Sequence, residues 1–315
     1  MLDFLLTAVL PVYAIILVGL VVRKAGVLGE SAGSPLMSLV VTVLFPCLIL
    51  DKICGNAALQ HTPTILWAAG LGFAGVAVGY LICYLGGRHL IGLGRGGGLR
   101  TFAMSAGLQN YGFIAIPVLA AVFPRDETMG VLFLHNLGVE VAMWTLGLML
   151  LRGSWRASFK VLANGPILAV IAGVVLVKTG LDARIPETLR LVMSQLGACA
   201  IPLALVLVGM TMADLAGKER LSFKISAAAV FFRLGVVAAL ILAAARYLPV
   251  AVELKEVLIV QAAMPAAVFS IVLARHYGGQ PGTAIQVTLA TGIAALFTIP
   301  WVLAFGRWWV LGGLN

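Results

Sequence analysis

The sequence predicts an all-α integral membrane fold: ten transmembrane helices arranged as two inverted five-helix repeats, with helices 4 and 9 broken and crossed. Three observations lead there. Of 315 residues, 62% are apolar or aromatic and 10% charged, with mean hydropathy +1.09, whereas a soluble domain carries about 25% charged residues. Ten apolar runs follow one another along the chain. The first half also resembles the second.

Helical spans need about 20 mostly apolar residues. The runs read Leu2–Val22, Ser34–Leu50, Ile65–Leu85, Thr101–Phe123, Gly130–Leu151, Pro166–Val177, Leu189–Met212, Ile225–Ala245, Val257–Tyr277 and Thr283–Phe305. The sixth is short and could begin nearer Val161. Turn formers and charges separate them, including the glycine-rich Gly86–Arg100, Pro124-Arg125-Asp126-Glu127 and Gly278-Gly279-Gln280-Pro281. The GLGRGGG stretch lacks a Walker Lys-Ser pair and a preceding strand, so it reads as a flexible loop and not a phosphate cradle.

Net charge is +9, but the basic residues lie mostly in short connections, which points to membrane orientation and away from nucleic acid. An even number of spans puts both termini on one side. Twelve Lys and Arg lie in connections opposite the termini and eight on the terminal side. Both termini are therefore expected outside the cytoplasm, in the cell (inner) membrane. The apolar N-terminus lacks a basic n-region and cleavage site and reads as a retained span. Cys47, Cys54, Cys83 and Cys199 have no metal-ligand spacing and read as small buried hydrophobes.

The repeat is visible residue by residue. LVGLVVRKAG at 17–26 aligns with IAGVVLVKTG at 171–180, matching Gly19 with Gly173, Lys24 with Lys178 and Gly26 with Gly180. In the following span, Met37-Ser38, seven residues and Pro46 read against Met193-Ser194, seven residues and Pro202. This gives a first repeat over 1–155 and a second over 156–315. Five crossings are an odd number, so the second copy must run inverted, an arrangement typical of secondary transporters.

In such proteins the site lies where corresponding spans are interrupted. The fourth span carries Gln109-Asn110-Tyr111-Gly112 and then Pro117; the ninth carries Gln261-Ala262-Ala263-Met264-Pro265. Each proline removes a helical hydrogen bond. Freed backbone groups are tolerated in lipid only where buried in protein or lining a cavity. Half-helix N-termini meeting there suit an anion such as a carboxylate. Pro11, Pro46, Pro202 and Pro300 read as ordinary kinks.

Ionisable residues within spans point to function. Asn136 and Glu140, four apart, share one helix face. Glu140 could carry a coupling proton or pair with Arg233. Arg233 could bind the substrate anion, pair with Glu140 or cap carbonyls of a broken helix. Asn110 could contact ligand or hydrogen-bond the interrupted helix, and His135 reads as a packing residue. No soluble-enzyme constellation is present: there is no HExxH, no Asp-rich metal-diphosphate pair and no Ser–His–Asp set at one depth. No enzymatic activity, cofactor or metal is expected.

The chain resembles the auxin efflux carrier family, PIN-type proteins and their bacterial relatives. The resemblance rests on Asn110–Pro117, Trp144-Thr145-Leu146 with the run to Leu151, Met264-Pro265-Ala266-Ala267, and Leu273 to Gly278. Pro11, Gly19, Arg23-Lys24 and Pro46 add to it. It implies external termini and a crossover of spans four and nine, onto which Asn110, Pro117 and Pro265 map. It also implies a dimerising scaffold of spans 1, 2, 6 and 7 beside a transport unit of spans 3–5 and 8–10 that moves as an elevator. Implied substrates are organic anions: auxin in plants, malonate, malate or similar carboxylates in bacteria. The long central loop of the plant proteins is missing between Arg152 and Gly165, which favours a compact bacterial-type carrier. Glu140 stands where other members place amides.

The expectation is thus a homodimeric carrier of a small mono- or dicarboxylate, with substrate contacts at Asn110, Tyr111, Gly112, Pro117, Asn136 and Pro265. Coupling or ion-pair roles fall to Glu140, Arg233 and Gln261. The coupling ion is left open between H+ and Na+. In the sodium version, as in bile-acid-type symporters, Asn110, Gln261, Ser270 and free carbonyls would supply the oxygens. A sensor or channel is the third alternative.

Overall fold

The computed structural model describes residues 2–94, 97–152, 164–215 and 222–312; every regular element among them is helical. The helices are α1 (Leu2–Lys24), α2 (Gly33–Ile53), α3 (Thr62–His89), α4 (Gly97–Gly107) and α5 (Ala115–Val122). They continue with α6 (Asp126–Arg152), α7 (Gly165–Thr179), α8 (Glu187–Leu215) and α9 (Phe223–Tyr247). Last come α10 (Val252–Ala263), α11 (Phe269–His276) and α12 (Pro281–Leu311).

Helix ends follow local chemistry. The Asn164 side chain accepts from the Ile167 N–H at 3.0 Å, and Pro166 lies in the first turn of α7, where a missing N–H costs nothing. That helix stops at Gly180, whose φ of 68° is open to glycine with little penalty. Among the described residues, six helices are long and apolar enough to cross a membrane: α2, α3, α6, α8, α9 and α12. α1 has 23 residues, and α7 is a shorter apolar helix of 15. The predicted fourth and ninth spans are each divided in two, α4 with α5 and α10 with α11.

Two expectations need correction. The glycine-rich loop is shorter than Gly86–Arg100: Gly86 and Gly87 belong to α3, and Gly97–Arg100 open α4. A Cβ on Gly86 would lie 2.1 Å from the Phe232 ring, so this glycine serves close packing and not flexibility. Pro117 does not sit at the fourth-span interruption. It is the third residue of α5, in the first turn, where proline is compatible with the helix. Pro265 does lie in the non-helical stretch between α10 and α11. The alternative start near Val161, and the basic residues Arg95, Arg156, Lys160, Lys218 and Arg220, lie outside the described residues.

α1 packs along α8, and α2 packs against α7 and α8; α3 packs on α4 and α6, and α12 packs on α4, α9 and α10. Small residues permit the closest approaches, the usual device where lipid gives helices no solvophobic reason to associate. A Cβ on Gly138 would fall 1.9 Å from the Ala69 carbonyl oxygen, and one on Gly209 would fall 1.9 Å from that of Ile16. Leu17, Val21, Leu168, Ile171, Val175, Val192 and Phe297 are exposed, an apolar perimeter that suits lipid. α2, α6 and α9 each contain a π-helical turn, at Val40–Leu44, Met143–Gly147 and Phe231–Val237. Such turns are frequent at functional sites.

Candidate functional site

The two helix breaks touch. Gln109 and Ala266 form an isolated antiparallel β-bridge. The Asn110 N–H donates to the Pro265 carbonyl at 2.7 Å, and the Ala267 N–H donates to the Leu108 carbonyl at 2.9 Å. The Ala266 N–H donates to the Thr291 hydroxyl at 3.1 Å. Backbone groups released by each interruption are thereby satisfied by the other or by α12. This removes the main cost of non-helical chain inside an apolar body.

Side chains extend the junction. Asn110 accepts from the Ile114 N–H through Oδ1 at 3.2 Å, capping the start of α5. Its Nδ2, in a residue only 2% exposed, has no protein partner. Asn136 donates to the Tyr111 carbonyl at 3.0 Å. Gln261 donates through Nε2 to Asn136 Oδ1 at 3.3 Å and to the Tyr111 carbonyl at 3.4 Å.

Glu140 stands beside this network. It accepts from the Tyr111 hydroxyl at 2.5 Å, the Trp144 indole N–H at 2.8 Å and Asn164 Nδ2 at 3.3 Å. It makes no ion pair with Arg233, which overturns that alternative. The Arg233 side chain instead donates to the last carbonyls of α10: Nε to Met264 O at 3.1 Å and Nη2 to Gln261 O at 3.2 Å. Of the three roles open to Arg233, this structure shows carbonyl capping, with Nη1 buried and without a protein partner.

A cavity of about 170 Å³ adjoins these groups. The first break contributes Asn110, Tyr111, Gly112 and Phe113; α6 contributes Phe133, Asn136, Glu140 and Trp144; and the second break contributes Ala267 and Val268. The opposite wall is Met37, Val41, Phe45 and Ile49 of α2, with Asn164, Ile167 and Val170 of α7. Phe45 meets Phe113 at 5.6 Å between ring centroids, and Trp144 meets Phe269 edge-on at 5.7 Å. Among the described residues, no Lys or Arg lines the cavity.

Among the residues expected at the site, Asn110, Tyr111, Gly112, Asn136 and Glu140 line the cavity. Gln261 and Pro265 belong to the junction, while Pro117 and Arg233 do not line the cavity. Asn164 and the α2 wall are additions. Asn164-Gly165-Pro166 carries a helix-start signal readable in sequence, but its reach to Glu140 is tertiary.

The two ends of the site differ. Near the terminal side, Lys52 at the end of α2 pairs with Asp126 at the start of α6 at 3.1 Å. Asn56 Nδ2 donates there to the Asp126 carbonyl at 2.7 Å and the Lys52 carbonyl at 3.0 Å. Toward the basic connections, the wall is formed by the early turns of α2 and α7. Among the described residues, no group of three His, Cys, Asp or Glu could hold a metal ion.

The sequence profile of a family described as membrane transport protein matches residues 4–164 and 154–303. An uncharacterized transporter of Methanothermobacter thermautotrophicus is 27% identical over 215 residues, covering 65% of this chain and 67% of the relative. An uncharacterized transporter of Methanocaldococcus jannaschii is 26% identical over 282 residues, covering 85% of this chain and 88% of the relative.

Proposed function

The chain belongs to this membrane transport family, that of the auxin efflux carriers, and on that premise we propose that it is a secondary carrier of a small organic anion. The observation that carries the reading is the buried, unpartnered amide of Asn110, a residue that lines the cavity between two facing helix breaks. A buried amide N–H without a partner calls for an acceptor, and a carboxylate is a strong one.

Of the mono- and dicarboxylates expected, this reading takes a monocarboxylate with an apolar body, which the described lining supports. A second carboxylate, as in malonate or malate, would meet aromatic walls and the Glu140 carboxylate, with no basic side chain among the described lining residues to balance it. Burying an unpaired charge is expensive. In this reading the carboxylate takes the Asn110 amide and the organic body lies against Phe45, Phe113 and Trp144.

Transport proceeds by alternating access in a ten-span inverted repeat. The packing supports this arrangement: exchanging α1 with α7 and α2 with α8 turns the α1–α8 contact into the α7–α2 contact. The matched glycines also have matched roles, Gly19 closing on Val206 of α8 and Gly173 on Ile53 of α2. In the family's manner, α1, α2, α7 and α8 form a dimerising scaffold, and the remainder moves against it as an elevator. Both termini lie outside the cytoplasm in the cell (inner) membrane. The ties from Lys52 and Asn56 to Asp126 then close the external side, leaving an inward-facing cavity.

Uptake into proteoliposomes tests the proposal, using labelled monocarboxylates of increasing apolar bulk beside malonate and malate. Saturable uptake of the former, weakened by Asn110→Ala and Pro265→Ala, is expected. Uptake indifferent to both substitutions would remove the site assignment.

A further inference from the structure

We propose that Arg233 is a built-in cation: its guanidinium holds the carbonyl end of α10, the type of place where carriers with broken helices bind a coupling sodium ion. A half-helix C-terminus carries partial negative charge and unsatisfied carbonyl groups. In broken-helix transporters such ends, with unwound carbonyls, are what coordinate Na+. Here two carbonyls at this end are already taken: that of the C-cap Met264 by Nε at 3.1 Å and that of Gln261 by Nη2 at 3.2 Å.

The placement has further support. Arg233 is 0% exposed, and among the described residues no carboxylate lies within ion-pair distance of it. An intramembrane arginine without an acidic partner needs another source of negative potential, and the helix end supplies it. The π turn Phe231–Val237 positions the side chain against the non-helical stretch that follows α10. The first break has no counterpart, since α3 carries no Lys or Arg before Arg88. Of the side-chain oxygens expected for a sodium ion, Gln261 Oε1 and Ser270 Oγ are buried and without protein partners, but they are neutral. A metal cation among them would stand near a fixed positive charge.

Arg233 is therefore a positioning residue. It fixes the second break and its local charge, so the break needs no sodium. The uptake arm of the test rests on the carrier reading above; the melting arm does not.

Thermal melting of the detergent-solubilised protein is compared in sodium, choline and guanidinium chloride at equal ionic strength. Native protein is expected to melt alike in sodium and choline. Stabilisation of native protein by sodium alone would overturn the proposal. Arg233→Lys should keep more than half of native uptake, while Arg233→Gln, which keeps a neutral NH2 donor group, should lose at least tenfold. Equal uptake by the two variants would also overturn it, since charge would then play no part. Arg233→Ala should melt lower than native and regain stability in millimolar guanidinium. A folded alanine variant with native uptake in choline, or one that guanidinium does not restore, is the contrary result. If the variants do not fold, the native sodium–choline comparison still decides.

Discussion

The Tyr111 hydroxyl donates to Glu140 Oε1 at 2.5 Å, joining the first helix break to the middle of α6. Trp144, one turn further along α6, and Asn164, the cap of α7, donate to the other carboxylate oxygen at 2.8 and 3.3 Å. One carboxylate therefore ties three elements around the cavity. Two of them, the break and α6, belong to the proposed moving unit; α7 belongs to the proposed scaffold. A change in the charge of Glu140 alters a contact across the boundary at which motion would occur.

Glu140→Gln is accordingly expected to remove dependence of uptake on a pH gradient while leaving substrate binding measurable. The amide has one acceptor oxygen where the carboxylate has two, and its NH2 would face a donor, so at least one buried donor loses its partner, at a cost of about 1–3 kcal/mol. A lower melting temperature with retained ligand-induced stabilisation is the expected signature. Gradient-dependent uptake that persists in the variant would remove Glu140 from coupling.

Asn110 offers a cleaner separation of structure from recognition. Asn110→Asp keeps the Oδ1 acceptor that caps Ile114 but replaces the free amide with a second oxygen. Folding should survive. Monocarboxylate affinity should fall about 10- to 100-fold, from the loss of a charge-assisted hydrogen bond worth roughly 1.5–3 kcal/mol, with like-charge repulsion added. Ligand-dependent thermal shift measures it, because a bound anion raises apparent stability by mass action. An undiminished shift would place the carboxylate elsewhere.

Much of this fold was legible because lipid simplifies the code: long apolar runs, turn residues between them and basic connections marked α2, α3, α6, α8, α9 and α12 within a few residues. The interruptions were legible through their prolines, but only Pro265 lies in one. The first is made by the Gln109-Asn110-Tyr111-Gly112 stretch, and Pro117 merely begins the helix after it. Arg233 could not be assigned from spacing, since its partner depends on which helix end folds beside α9. The α2 wall was invisible for a different reason. Phe45 and Ile49 face a cavity and Leu17 faces outward, yet both faces have the same apolar composition.

Helix contact at Gly138 can be tested independently of transport. A Cβ there would lie 1.9 Å from the Ala69 carbonyl oxygen, inside the backbone of α3, so α3 and α6 would have to separate. Gly138→Val should cost about 1–3 kcal/mol or more by overpacking. Size-exclusion profiles and melting report the loss; a variant as stable as native would show that the two helices do not pack this closely.

Cys54 tests the orientation. It follows α2 on the terminal side and is partly exposed. Burial first, and then the neighbouring Asp182 carboxylate, push its thiol above the ordinary value. Thiolate is the reactive form, so labelling should be slow at neutral pH and climb up to tenfold per pH unit until the raised value is reached. In a variant keeping Cys54 as its single cysteine, a membrane-impermeant maleimide should label intact cells with that dependence. Asp182→Asn should shift the curve toward lower pH. Asp182 also accepts from the Gly55 N–H at 2.9 Å, so the comparison requires that the variant melt near native. Labelling only after the membrane is opened would invert the topology. The contact of Asn56 and Lys52 with Asp126 would then close the cytoplasmic side, and the cavity would face outward.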